Sequence, residues 1–194
     1  MKKIVIATHN RGKLEEYRSY LTPLDYEVVS LSDLGISAKS PETGESYFEI
    51  AEGKASFYSK FTKLPIVAED SGLEIHALAN FPGVTSDRWM NGTSRQKNHA
   101  IIQKMAGIID RRAVFRVVIV YKHKKRLVTF TGEMSGEIAA KPEGVMGFGY
   151  DPIFYVPQLK RTLAQATQFE KNQLSFRGQA MQKLASYLTK YKPE

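Results

Sequence analysis

The sequence predicts an α/β protein. Three features lead there. Lys2–Ala7 is an apolar run that passes through a polar loop into helical spacing at Leu14, Tyr17 and Leu21. Two further apolar runs, Ile66–Ala68 and Ala113–Tyr121, have the length and composition of strands. Amphipathic helical stripes stand between and after them. With 194 residues the chain fits one domain, with two lobes at most, and no Pro/Gly/Ser-rich linker divides it.

Taken in order, Lys2–Ala7 reads as strand, Thr8–Lys13 as loop, and the residues from Leu14 as helix, with Glu15 and Glu16 on the polar side. Tyr26–Leu31 reads as a second strand, followed by a loop to about Pro41. Ser46 and Glu49 form a capping-box pattern. They open a long helix whose apolar stripe is Phe48, Ala51, Ala55, Tyr58 and Phe61. In Leu64–Leu73 (LPIVAEDSGL), Ile66–Ala68 reads as a buried strand that ends in a tight turn at Glu69-Asp70-Ser71-Gly72, with Leu73–Ala77 as its continuation. Asn80–Gly92 reads as an irregular loop. Thr93 with Gln96 caps a helix carrying Ile101, Ile102 and Met105. Ala113–Tyr121 reads as a central strand, joined through the basic turn Lys122–Arg126 to Leu127–Ile138 in a long hairpin. Lys141–Pro152 reads as a glycine-rich loop, and Met181, Leu184, Leu188 and Tyr191 mark a C-terminal helix.

Composition excludes several classes of function. The chain has no cysteine, so it has no disulfide, thiolate metal site or cysteine nucleophile, and it suits a reducing cytoplasm. No apolar run approaches the ~20 residues of a membrane span. The N-terminus lacks the apolar segment and cleavage site of a signal peptide and reads as the first strand. A formal net charge of +8 favours anionic partners, nucleotides and nucleic acid among them. The aromatics form no RNA-binding signature and the lysines are dispersed, which argues against nucleic acid.

Four places carry chemistry. Thr8, Asn10 and Lys13 stand where a strand runs into a helix, a setting that offers backbone N–H groups and a point charge to a phosphate; a plain helix-capping turn is the alternative. The GxxxxGK[ST] spacing of a P-loop is absent. Glu69 and Asp70 at a strand end suit a hard cation such as Mg²⁺, with solvated turn residues as the alternative. Glu42 and Lys54 belong with them only if they face the same site. In Lys141–Pro152, Gly144, Gly147 and Gly149 allow close backbone approach, and Phe148 and Tyr150 offer faces on which a base stacks; a connecting loop is the alternative.

The order of these signals resembles the inosine-triphosphate pyrophosphatase family. The residues that carry the resemblance are Thr8-x-Asn10-x-x-Lys13, Glu42-Thr43-Gly44, Lys54-Ala55, Glu69-Asp70-Ser71-Gly72-Leu73, Pro82-Gly83, Gly147-Phe148-Gly149-Tyr150-Asp151-Pro152, Lys171 and Ser175-x-Arg177-Gly178. They span nearly the whole chain. The resemblance implies an elongated mixed sheet flanked by helices, two lobes around a substrate cleft, and a homodimer. It implies Mg²⁺-dependent hydrolysis of non-canonical purine nucleoside triphosphates, with no nucleic-acid or membrane partner. Thr8, Asn10, Lys13 and Lys54 would bind phosphates. Glu42 and Asp70 would hold the metal, with Glu69 as a third candidate, and Asp70 would be the general base. Ser71 would contact substrate. Phe148, Gly149, Tyr150, Asp151, Lys171, Phe176 and Arg177 would line the base and sugar pocket.

Three departures from the family pattern stand out. Glu69 replaces the first of two aspartates, Ile50 replaces an asparagine, and Phe176 replaces the histidine of Ser-His-Arg. Phenylalanine donates no hydrogen bond, so relaxed or shifted base selectivity is expected. A related pyrophosphatase with another base preference is the second reading.

Overall fold

A computed structural model describes residues 1–191, apart from the side chains of Gln168, Asn172 and Gln173. The elements in chain order are β1 (Lys2–Ile6), α1 (Arg11–Leu21), β2 (Tyr26–Ser30), α2 (Tyr47–Tyr58), β3 (Ile66–Ile75), β4 (Phe81–Pro82), α3 (Ser94–Lys104), β5 (Arg112–His123), β6 (Arg126–Ile138), β7 (Phe154–Val156), β8 (Arg161–Thr162), α4 (Gln168–Leu174) and α5 (Phe176–Lys190). The strands form a mixed sheet in the order β2-β1-β3-β5-β6-β7-β8, and β4 pairs with β3. β1 runs parallel to both β2 and β3. β4, β7 and β8 pair antiparallel. The predicted α/β class with a mixed sheet and helices is what the chain adopts. Among the described residues no helix is long and apolar enough to cross a membrane.

Two compact units divide the chain. The first comprises 1–70, 117–132 and the chain from 179 onward; the second comprises 71–116 and 133–178. The core of the first unit joins Val5, Val29, Ile66, Ala68 and Val120 of the strands to Ala51, Ala55 and Tyr58 of α2. Small alanines on the helix let it lie close to the β-branched strand surface. The second unit buries Leu73, Ile75, Ile101, Phe115, Ile138, Phe154 and Leu163.

Four local expectations need correction. The segment Glu69–Gly72 is not a turn: β3 runs unbroken for 10 residues from Ile66 to Ile75, and the two acids lie in its middle, buried. A local reading sees Asp-Ser-Gly and places a turn, but partners from distant elements meet both oxygens of Glu69 and one oxygen of Asp70, and the strand continues. On α2 the buried face is Tyr47, Ile50, Ala51, Ala55 and Tyr58, whereas Phe48 and Phe61 are exposed. Its capping box is half formed. Ser46 Oγ accepts the Glu49 N–H, but the Glu49 carboxylate accepts from the Glu45 N–H. The stretch Asn80–Gly92 is not wholly irregular. Phe81–Pro82 pairs with Glu74–Ile75, and a short 3₁₀ turn follows at Gly83–Thr85.

The remaining boundaries follow from simple causes. Arg11, Gly12 and Lys13 form the first turn of α1 rather than loop, because Asn10 caps that helix. The box at Thr93 and Gln96 is complete in both directions. On α5, Met181, Leu184 and Leu188 are buried as their spacing predicts, while Tyr191 is exposed.

Candidate active site

The first unit gathers its candidates around the end of β1 and the middle of β3. Thr8 Oγ1 accepts the Asn10 N–H at 3.1 Å, and Asn10 Oδ1 accepts the Lys13 N–H at 3.2 Å. Both side-chain oxygens therefore cap the chain's entry into α1, at the positive end of its dipole. Lys13 Nζ lies 2.9 Å from Glu69 Oε1, and the Tyr17 hydroxyl donates to Glu69 Oε2 at 2.8 Å.

Glu42, Lys54 and Asp70 do face one another. Lys54 Nζ stands 2.6 Å from Glu42 Oε1 and 2.9 Å from Asp70 Oδ1. α2 projects the ammonium and β3 the buried carboxylate. Burial pushes the Asp70 carboxyl up, with Lys54 and then Lys13 pulling against it. Burial alone would lower the Lys54 ammonium, but Asp70 and Glu42 outweigh it and raise it. Asp70 Oδ2 is buried without a hydrogen-bond partner. A buried ionised oxygen left so is costly unless a ligand meets it.

That oxygen bears on magnesium. Among the described residues no group of three or more His, Cys, Asp or Glu is placed to hold a metal ion. Mg²⁺ needs fewer protein ligands, since it is usually held by one or two carboxylates together with waters and substrate phosphates. Glu42 and Asp70, sharing Lys54 and with one Asp70 oxygen unpartnered, fit that donor set. Both oxygens of Glu69 have partners in the protein.

The second unit holds the remaining candidates. Lys171 Nζ lies 2.7 Å from Asp151 Oδ2, which also accepts the Phe148 N–H at 3.3 Å. Gly147 has φ +84°, and a Cβ there would collide with Asp151 Oδ2 and Lys171 Nζ. Arg177 is buried and reaches Ser71 Oγ at 3.4 Å. Its guanidinium carbon lies 5.4 Å from the Phe148 ring centre and 5.0 Å from that of Phe176. The Phe176 ring is itself buried, stacked on Phe115 at 4.9 Å with 14° between planes. Phe176 thus supplies a packed platform under Arg177. Ser175 Oγ accepts the Gly178 N–H at 3.2 Å and so helps start α5.

Tyr150 is buried rather than presented. Its hydroxyl accepts from Trp89 Nε1 at 2.6 Å and donates to the Ser86 carbonyl at 2.7 Å. Burial pushes its phenol up to about 12 from the ordinary 10.0, against the hydrogen bond from Trp89. A raised phenol contributes stability that is whole below the unfolded value and is lost as pH rises through the folded one. Base-induced unfolding is therefore expected to steepen between pH 10 and 12. Tyr150→Phe should flatten that window, as followed by phenolate absorbance and circular dichroism; equal pH profiles for the two proteins would contradict this.

Two residues escape a reading of the sequence. Tyr17 looks like part of a hydrophobic stripe, yet it lies four residues from Lys13 on one helix face, a spacing that could have linked them. Asn98, buried on α3, donates to the Gly149 carbonyl at 3.1 Å. The signal there is a polar residue three positions before Ile101 on the apolar face.

The chain belongs to the Ham1 family, whose model matches residues 4–187. Among similar proteins, one from Thermoanaerobacter pseudethanolicus named dITP/XTP pyrophosphatase is 37% identical over 192 residues, covering 97% of each chain. One of the same name from Staphylococcus aureus is 39% identical over 191 residues, again covering 97% of each. The structure of a HAM1 protein from Coxiella burnetii superposes with a TM-score of 0.90 at 38% identity, covering 98% of this chain and 100% of that one. The Staphylococcus aureus Ham1 protein gives 0.87 at 37% identity, covering 96% and 98%.

Proposed function

We propose that this protein is a nucleoside-triphosphate diphosphatase that hydrolyses dITP, XTP and ITP to the nucleoside monophosphate and pyrophosphate, clearing non-canonical purines from the nucleotide pool. The observation that carries the proposal is Asp70, a buried carboxylate with one oxygen on Lys54 and the other without a partner. Relatives named for this activity, similar over nearly the full chain, support it.

The roles follow from the chemistry of each group. The α1 N-terminus, with the Thr8 hydroxyl, the Asn10 amide and Lys13, would take phosphate oxygens. Lys54 would neutralise phosphate charge once substrate competes for it. Glu42 and Asp70 would hold Mg²⁺. When bound, that ion would neutralise phosphate charge and acidify water. Asp70, its carboxyl raised by burial, would accept the proton from the attacking water as water splits the α–β phosphoanhydride. In the second unit, Phe148 and Arg177 would hold the base, while Ser71 and the Lys171–Asp151 pair would fix the surrounding loop and the sugar. A homodimer in the cytoplasm is the setting implied by the resemblance.

The test is pyrophosphate release with Mg²⁺ across ITP, XTP, dITP, ATP, GTP, CTP and UTP. Turnover of the first three is expected; no turnover of any would end the proposal. Phe176 adds a second expectation. It offers an apolar face where a donor would read a 6-oxo group, and its ring is committed to Phe115 and Arg177. A site that forgoes a donor discriminates by about 10²-fold or less. ITP should therefore be preferred over ATP and GTP by less than several hundred-fold, and a larger preference would show that Arg177 and the backbone suffice.

A further inference from the structure

Glu69 occupies an unusual place for an acid: mid-strand, with a side chain only 3% exposed. Such a carboxylate persists where its oxygens are met. Lys13 meets one at 2.9 Å and Tyr17 meets the other at 2.8 Å. Both donors come from one face of α1, four residues apart, so a single helix clamps the carboxylate from two sides. The Tyr17 ring is fully buried, which fixes its hydroxyl. The lysine is the flexible member: a point charge on a four-carbon stem that sweeps a wide volume unless something holds it.

We propose that Tyr17 and Glu69 are positioning residues for Lys13: together they hold its ammonium at one point beside the α1 N-terminus, where it receives the pyrophosphate portion of the substrate. This rests on the diphosphatase reading above. Tyr17 sets the orientation of the Glu69 carboxylate, and Glu69 sets the ammonium. Neither touches substrate. Their contribution is that less side-chain freedom remains to be lost when phosphate binds. It also gives Glu69 a task separate from the metal.

Charge alone predicts the opposite of positioning. Removing the Glu69 negative charge makes the site more positive, which would tighten binding of any phosphate. Glu69→Gln and Tyr17→Phe therefore distinguish the two. Inorganic pyrophosphate is titrated calorimetrically, without metal, into wild type, both single variants and the double variant. Turnover of XTP and the half-saturating Mg²⁺ concentration are measured in parallel. Each single variant is expected to weaken pyrophosphate binding and raise KM by about tenfold, the effect of a lost charge-assisted hydrogen bond, with kcat changing less. The double variant should lose no more than either alone, because the residues act as one unit. Glu69→Asp, which keeps the charge but shortens the reach, serves as a third variant should Tyr17→Phe fold poorly, and should weaken binding likewise.

Unchanged or tighter pyrophosphate binding in Glu69→Gln would overturn the proposal, and so would losses that add. A raised Mg²⁺ requirement in Glu69→Gln with Tyr17→Phe unaffected would overturn it too, making Glu69 a metal ligand. Wild type that turns over XTP while the variants behave normally leaves the diphosphatase reading standing and removes only the positioning role. Wild type that neither hydrolyses XTP nor binds pyrophosphate removes both.

Discussion

Asp70→Asn is expected to lower kcat for XTP by about 10²–10⁴-fold, the range that loss of a positioned general base produces. The fold should survive. The substitution keeps size and shape, and it removes a charge whose burial is costly enough to push the carboxyl upward. Lys54 retains Glu42 as a partner at 2.6 Å. Melting should therefore shift little while activity collapses, a separation that a merely structural carboxylate would not give. Single-turnover pyrophosphate release alongside a thermal melt decides it. If Asp70→Asn kept a third of wild-type turnover, the base would lie elsewhere.

Gly147→Ala is expected to damage both stability and substrate affinity. The backbone there sits at φ +84°, and the new Cβ would enter the space of the Lys171–Asp151 pair. Left-handed strain in a non-glycine residue costs about 1–2 kcal/mol. The ends of both side chains must also move aside, which weakens a largely buried ion pair. The strain alone corresponds to a fall in melting temperature of roughly 5 °C for a chain of this size. Because Asp151 also accepts from the Phe148 N–H, the loop that presents Phe148 should shift and KM should rise. Gly149→Ala is the control. Its φ is +62° but nothing lies within 4 Å of an added Cβ, so its loss of stability should be the backbone strain alone. Equal effects at the two glycines would show that crowding at Gly147 is unimportant.

The sequence disclosed what is local. The β1–α1 unit was legible because a short apolar run, an asparagine cap and a helical stripe all lie within 21 residues. The box at Thr93 and Gln96 was legible for the same reason. What failed was what depends on distant partners. Glu69–Gly72 reads as a turn until Lys13 and Tyr17 meet Glu69 and Lys54 meets one oxygen of Asp70, and those partners lie up to 56 positions away by residue number (69 − 13). Helical spacing alone predicts an α2 stripe that includes Phe48 and Phe61, whereas the helix turns Tyr47 and Ile50 inward. Of the candidate site, the motif residues were found by resemblance, and Lys54 between Glu42 and Asp70 joins three of them in space. Tyr17 and Asn98 lie outside every motif and emerged only from contacts.

The placement of Lys54 between two carboxylates has a bearing on the life of the protein without the proposed cation. Glu42 and Asp70 would repel one another, and a protein that relied on a metal to quiet them would come apart in its absence. Here the quieting charge is covalently attached, so the chain carries its own understudy for the ion. Were the proposed Mg²⁺ the cofactor, its scarcity would silence the enzyme without sending it to the proteases, and returning the ion would restore it without refolding.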